Sequence, residues 1–351
     1  MRTHTAMSIA GRPIGNGHPP LMVAELSANH DGSLERALAI VDAAAEAGAD
    51  AIKLQTYRPD TMTLDVDRPE FFIEAGRWAG ESLYQLYERA HTPWEWHEAL
   101  FQRARERGLI AFSSPFDATA VDFLEGLDCP AYKIASFEAV DLELIQRVAA
   151  TGKPVILSTG MADAEEIATA VATAREAGCN DLALLHCVSA YPAEPAEYNL
   201  RTLPDLARRF SVVAGLSDHT RDNTTAIAAV ALGATIVEKH FTLDRAGGGP
   251  DDDFSLEPAE LAALCRDAWT AWQALGEVSY DRTSSERGSA IFRRSLYFVA
   301  DIAAGETITE NHIRAIRPGY GAPPSERQAF LGRRARQAIA RGTPASWGLV
   351  E

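Results

Sequence analysis

Two histidines each close a short β-branched run: His219 in GLSDHT and His240 in EKHF. If those runs are neighbouring parallel strands, both imidazoles reach one end of a sheet. There they can chelate one divalent metal and leave positions open for water and substrate. A pair of hydrogen-bonded structural histidines is the plainer alternative. The other seven His show no comparable pairing. Lysine is the second signal, because only Lys53, Lys133, Lys153 and Lys239 occur among 33 basic residues. In a chain that so favours Arg, a retained Lys suits a tight pocket needing a compact point charge. Lys53 and Lys133 with Ser114, Ser136, Ser158 and Ser217 have the composition of a small dianion pocket, in which ammonium groups supply charge and hydroxyls supply directed hydrogen bonds. Serines so placed can also simply begin helices.

These residues need elements that converge. Candidate strands fall at 21–26, 51–56, 110–115, 131–136, 154–159, 181–187, 212–219 and 235–241. Ala/Leu/Glu/Arg-rich helical patterns lie between them, including 34–47, 94–107, 141–151, 163–177 and 258–275. Gly48, Gly108, Gly152 and Gly178 stand where helices should stop. Eight β–α units in about 255 residues predict an α/β fold of the TIM (β/α)8 barrel type. A doubly wound open sheet is the alternative, but it needs no eight even units and no GxGxxG follows the first strand.

Parity along the strands tests the barrel, since alternate residues face opposite sides. Val23 shares a face with Glu25, Lys53 with Gln55, Ser217 with Gly215 and His219, and Glu238 with Ile236 and His240. Ser113 and Ser114 end the third strand, Lys133 and Ser136 belong to the fourth, and Ser158 ends the fifth. Nearly every strand thus delivers a polar group to one mouth, where barrel enzymes place their chemistry. Residues 7–15 suit a hairpin capping the barrel bottom. Residues 57–93 form a long insertion carrying Phe71, Phe72, Trp78, Tyr84 and Tyr87. Long βα loops sit on the active-site face of a barrel.

The 351 residues suffice for a large barrel and a small second domain. A net charge of −16 argues against a nucleic-acid partner. The opening residues hold no apolar run of signal-peptide length, and no stretch approaches a membrane span. Cys129, Cys179, Cys187 and Cys265 lie far apart without CxxC spacing, as expected for reduced thiols in a cytoplasmic protein. Residues 286–351 hold ten Arg against six Asp or Glu, about +4, which leaves about −20 on the rest. The expected organisation is a barrel over 1–276, a polar linker over 277–291 and a compact unit of short strands over 292–351.

At these residues the chain resembles the sialic acid synthase family. The matching motifs run in order: AELSANHDG (24–32), KLQT (53–56), SSPFD (113–117), YKIAS (132–136), STGM (158–161), LLHCVSAYP (184–192), GLSDHT (215–220) and EKHF (238–241). RRSLY (293–297) and IRPG (316–319) resemble that family's C-terminal β-rich antifreeze-like (SAF) domain. Within the family, AHTPWEW (90–96), SSPFDATAVDFLE (113–125), CVSAYP (187–192) and FSLEP (254–258) are most similar to the pseudaminic acid synthase branch. Ser189 departs from the Asn typical of N-acetylneuraminate synthases.

The resemblance implies a set of roles. His219 and His240 would ligate a divalent metal, Mn²⁺ or else Mg²⁺ or Co²⁺. Lys53, Ser114, Lys133, Ser136, Ser158, Ser189 and Ser217 would hold phosphoenolpyruvate. Glu25 would be catalytic and, with Tyr191 and Asp251, would face an acetamido sugar. Arg317 would complete a partner's site in a domain-swapped homodimer. The implied reaction condenses phosphoenolpyruvate with 2,4-diacetamido-2,4,6-trideoxy-L-altrose. Three alternatives stay open: the same chemistry giving N-acetylneuraminate or legionaminate, a Schiff-base pyruvate aldolase using Lys53 or Lys133, and a non-catalytic binding protein.

Overall fold

The computed structural model describes residues 6–74 and 78–351. The chain divides into two compact units, Met1–Gly276 and Glu277–Glu351. Among the described residues no helix is long and apolar enough to cross a membrane.

The first unit opens with the expected hairpin, β1 (Ala6–Ile9) antiparallel to β2 (Arg12–Gly15). Met7, Ile9 and Ile14 are buried in the barrel's core, and Arg12 pairs with Asp50. Eight parallel strands follow: β3 (Leu21–Glu25), β4 (Ala51–Thr56), β5 (Ile110–Pro115), β6 (Tyr132–Ile134), β7 (Val155–Ser158), β8 (Leu182–Cys187), β9 (Val213–Asp218) and β10 (Ile236–His240). They pair in sequence, and β10 returns beside β3 to close the barrel, which removes the open-sheet alternative. Strands buried on both faces read as near-continuous apolar runs, and these do outside their inward polar positions. The register sets Glu25 opposite both Lys53 and His240, and Ser217 opposite both Glu238 and Cys187.

Helices cover the barrel where the sequence places them, at Leu34–Glu46, His97–Glu106, Leu142–Ala149, Ala164–Glu176 and Pro258–Leu275. The pattern over 94–107 begins as a 3₁₀ turn, Trp94–Trp96, because Pro93 precedes it and a first turn there needs no proline N–H. Ala118–Glu125, Thr202–Phe210 and Thr224–Ala231 complete the outer layer. Side-chain oxygens start several helices: Ser33 accepts from the Arg36 amide, Asp141 from Leu144, and Asp163 forms a capping box with Glu166. Gly108 (φ 77°) and Gly178 (φ 98°) end theirs in the left-handed region that a side chain disfavours.

The insertion after β4 carries a helix, Leu83–Ala90, and Tyr57 meets both Tyr87 and Phe116 edge to face. Residues 75–77 of this expected insertion lie outside the described residues. The second unit pairs β11 (Ser295–Phe298) with β12 (Ile313–Ile316) over its own core of Leu296, Phe298, Ile302, Ile313 and Phe330. The polar segment 277–291 contains a short helix, Ser284–Arg287.

Candidate active site

Closing the barrel buries four charged side chains together. Lys53 Nζ lies 2.7 Å from Glu25 Oε2 and 3.7 Å from Glu238 Oε1. Lys133 Nζ lies 3.4 Å from the same Glu238 oxygen. All four residues are at most 5% exposed. Burial favours the neutral form of each, so the balance of partners decides the charge. Burial pulls Lys53 down, but Glu238 and Glu25 outweigh it and hold its pKa above the ordinary lysine value. Lys133 is pulled below the ordinary value by burial, because Glu238 compensates only partly and Lys53 opposes it. Burial raises Glu238, yet Lys133, Lys53 and His219 more than reverse that and its pKa is lowered. Glu25 is raised, by burial first and by Glu238, against the pull of Lys53. Glu238 is therefore the carboxylate held toward its charged form, and Glu25 the one pushed toward neutrality.

The serines fall on the mouth side of this cluster. Lys53 Nζ donates to Ser114 Oγ at 3.4 Å, and Ser217 Oγ donates to Glu238 Oε1 at 3.1 Å. Ser136 caps no helix through its side chain; its Oγ lies 2.9 Å from Cys187 Sγ, and Ser189 Oγ lies 3.9 Å from that sulfur. Gly160 completes this wall: an added Cβ would stand 2.3 Å from Ser189 Oγ, 2.5 Å from Cys187 Sγ and 2.8 Å from Ser136 Oγ. Ser158 Oγ, at the end of β7, is buried without a hydrogen-bond partner. A buried hydroxyl with nothing to bond is costly unless a ligand takes it. Two ammonium groups and this hydroxyl rim have the donor chemistry for a small phosphorylated anion.

Both histidines reach the same mouth. Their ring centroids are 5.5 Å apart. Tyr191 packs 4.4 Å from His219 and 5.9 Å from His240, and Phe254 lies 4.9 Å from His240. Burial lowers the His219 pKa to about 4 and takes His240 well below the ordinary value, so both rings are neutral near pH 7. His219 Nδ1 bonds the Val188 carbonyl at 2.7 Å, which fixes the tautomer and leaves Nε2 its lone pair. His240 Nδ1 is buried with no hydrogen-bond partner. An orphaned imidazole nitrogen beside a second neutral imidazole fits a divalent cation. No group of three or more His, Cys, Asp or Glu among the described residues could hold one, so water and substrate would fill the remaining positions.

A third group extends outward from Glu25. Gln55 Nε2 donates to Glu25 Oε1 at 2.9 Å and to Ser27 Oγ at 3.0 Å. Ser27 in turn donates to Asp251 Oδ2. Asp251 sits on the loop after β10, which its neighbour anchors: buried Asp252 receives Thr242 Oγ1, Arg36 and the Gly249 amide. The barrel unit thus gathers Glu25, Lys53, Ser114, Lys133, Ser136, Ser158, Ser189, Tyr191, Ser217, His219, His240 and Asp251 about one mouth. Arg317 lies in the second unit, exposed, directly after β12.

Several participants carried weaker sequence signals. Glu238 and Gln55 were legible by parity as inward residues but had no role. Glu138, in the 3₁₀ turn Phe137–Val140 after β6, has its pKa raised to about 7 by burial. No periodicity marks such a turn. The other two lysines lie elsewhere: Lys239 pairs with Asp218 at 2.9 Å within the fold, and Lys153 pairs with Glu125 at 2.6 Å, partly exposed.

Comparison with known proteins agrees with this layout. The NeuB family model matches residues 40–280 and the SAF domain model residues 293–351. The pseudaminic acid synthase of Campylobacter jejuni (strain 81-176) is 43% identical over 91% of this chain and 93% of its own. That of Helicobacter pylori is 43% identical over 95% of this chain and 98% of its own. A crystal structure of N-acetylneuraminic acid (sialic acid) synthetase from Leptospira borgpetersenii, in complex with citrate, superimposes with a TM-score of 0.73 at 32% identity. It covers 81% of this chain and 94% of that one. With a closed barrel whose mouth carries the buried lysines, serines and paired histidines, and a SAF domain after it, the chain belongs to the NeuB family.

Proposed function

We propose that the chain is a pseudaminic acid synthase, condensing phosphoenolpyruvate with 2,4-diacetamido-2,4,6-trideoxy-L-altrose and releasing phosphate. The observation that carries this reading is the near full-length identity to two pseudaminic acid synthases, which exceeds the identity to the N-acetylneuraminic acid synthetase. The aromatic insertion supports it too, since a 6-deoxy sugar with two acetamido groups suits apolar walls.

In this reading Lys53, Lys133 and the hydroxyls of Ser114, Ser136, Ser158, Ser189 and Ser217 hold phosphoenolpyruvate. Lys53, kept charged by two carboxylates, supplies the permanent positive charge. Tyr191, Glu25 and Asp251 orient the open-chain sugar so that its C1 aldehyde faces C3 of phosphoenolpyruvate. His219 and His240 would hold a divalent metal, Mn²⁺ or a similar ion, which when bound supplies Lewis-acid polarisation of the aldehyde oxygen. As C3 bonds to C1, positive charge develops at C2. Glu25, hydrogen-bonded by Gln55, stabilises that charge and takes a proton from the water that adds there, which balances the proton that the C1 alkoxide gains on becoming a hydroxyl. The resulting tetrahedral carbon collapses, expels phosphate and leaves a nine-carbon 2-keto acid. Arg317 would bind an acyl group of the sugar across a homodimer, in the cytoplasm. The opposite net charges of the tail and barrel sequences favour such docking.

The test is phosphate release screened over amino sugars, with kcat/KM compared for the diacetamido sugar and N-acetylmannosamine. A clear preference for N-acetylmannosamine would reassign the enzyme. The lowered pKa of Lys133 also favours Schiff-base chemistry as a second reading. Borohydride trapping of a pyruvate adduct would establish that reading in place of the first.

A further inference from the structure

Ser27 is the second residue past β3, and its backbone is left-handed, with φ at 49°. A Cβ crowds the following carbonyl in that region, so glycine is favoured there. Yet this position holds a serine that is 2% exposed. Its hydroxyl is used in both directions. It accepts from Gln55 Nε2 at 3.0 Å and donates to Asp251 Oδ2. Gln55 spends its second N–H on Glu25 Oε1 at 2.9 Å. One amide and one hydroxyl therefore connect the carboxylate at the end of β3 with the carboxylate of the loop after β10.

That loop does not need Ser27 to stay in place. Asn29 Nδ2 donates to the Phe241 carbonyl at 2.9 Å and to Ser255 Oγ at 2.8 Å. Ser255 Oγ donates to the Asp251 carbonyl at 2.6 Å, and Asp252 ties the loop to Arg36 and Thr242. With the backbone fixed by others, the Ser27 hydroxyl adds the direction of the Asp251 carboxylate and of the Gln55 amide.

We propose that Ser27 is a positioning residue for sugar selection. It occupies a conformation that glycine would adopt with less strain, and its hydroxyl aims Asp251 at the sugar and holds the Gln55 amide on Glu25. This rests on the proposed function, in which Asp251 and Glu25 face the sugar while the lysines and serines hold phosphoenolpyruvate. The consequence is a split between stability and activity. Removing the side chain should relax the backbone while it disorients the sugar-facing carboxylate.

The experiment compares Ser27→Gly and Ser27→Ala with the wild type by thermal melting and by kinetics with each substrate varied separately. Ser27→Gly is expected to melt about 1–3 °C higher, whereas Ser27→Ala keeps the left-handed strain and does not gain. Both should raise the KM for the sugar about tenfold, as a lost hydrogen bond to a charged group does, and leave the KM for phosphoenolpyruvate within about twofold. In an Asp251→Asn background the effect of Ser27→Gly should fall below about threefold, because the group it aims has lost its charge. A sugar KM for Ser27→Gly within about twofold of wild type would overturn the inference. So would a lower melting temperature in both variants with equal losses for both substrates, the mark of a merely structural serine. A wild-type enzyme silent on every acetamido sugar removes the proposed function and this inference with it. An active wild type with an unaffected Ser27→Gly removes this inference alone.

Discussion

Lys133 Nζ and Lys53 Nζ share one carboxylate oxygen, Glu238 Oε1, at 3.4 and 3.7 Å, and Ser217 donates to that oxygen as well. This anion thus serves both buried cations, and while Lys53 also has Glu25 at 2.7 Å, Lys133 has no other ion-pair partner among the described residues. Neutralising it leaves Lys133 with no fixed countercharge, and breaking a buried pair in this way costs about 3–5 kcal/mol. In Glu238→Gln the folded pKa of Lys133 falls further below the unfolded value of about 10.4. The unfolded chain then binds more protons, so stability rises with pH between the folded and unfolded values. Urea unfolding should therefore show a large deficit at pH 7 that shrinks by pH 9. A deficit independent of pH would contradict this division of charge.

Gly160 should be intolerant of a methyl group. The atoms an alanine Cβ would meet are the proposed phosphate ligands Ser136 and Ser189 and the Cys187 sulfur between them. Gly160→Ala is expected to raise the KM for phosphoenolpyruvate about a hundredfold, with a smaller effect on the sugar, since displacing an anchoring group by an ångström can lose that much. Unchanged phosphoenolpyruvate kinetics would place the anion elsewhere.

Activity should require a divalent metal. His219→Ala and His240→Ala should each abolish phosphate release while circular dichroism shows the fold retained. Full activity of exhaustively chelated wild-type protein would remove the metal from the scheme.

Lys239 should matter for stability alone. Its Nζ bonds Asp218 Oδ2 at 2.9 Å and the carbonyls of Thr220 at 2.6 Å and Asp222 at 2.7 Å, and none of these is a proposed substrate or metal ligand. Lys239→Ala leaves the buried Asp218 charge unpaired, at about 3–5 kcal/mol. Denaturant melts measure it, and a loss under about 1 kcal/mol would mean that Asp218 finds water instead.

Arg317 is expected to act on a partner's barrel. Arg317→Ala and His219→Ala proteins should be nearly inactive alone. Mixed under conditions that exchange subunits, they should recover about a quarter of wild-type activity, because half of randomly paired dimers hold one intact composite site of two. No recovery despite verified exchange would mean that the arginine acts within its own subunit, and an ordinary surface ion pair at Arg317, worth about 0–1 kcal/mol, would leave Arg317→Ala active alone.

The eight strands were legible because their apolar runs and helix-stopping glycines are local signals, and the inward placement of Glu25, Lys53, Glu238 and His240 follows from the two-residue period of a strand. The histidine pair was legible for the same reason: both end strands that turned out adjacent. What depended on tertiary structure is which neighbour each charge meets. Lys53 and Lys239 are the same residue type on the same kind of strand, yet one serves the mouth and the other a buried ion pair. Parity alone sets Lys239 on the face opposite Glu238 and His240, but that it meets Asp218 there follows only from the register between β9 and β10. The division of protonation between Glu25 and Glu238 likewise depends on distances of a few ångströms in a buried cluster. The left-handed Ser27 and its partner Asp251 lie 224 positions apart, a contact that no local pattern can encode and that only barrel closure brings about.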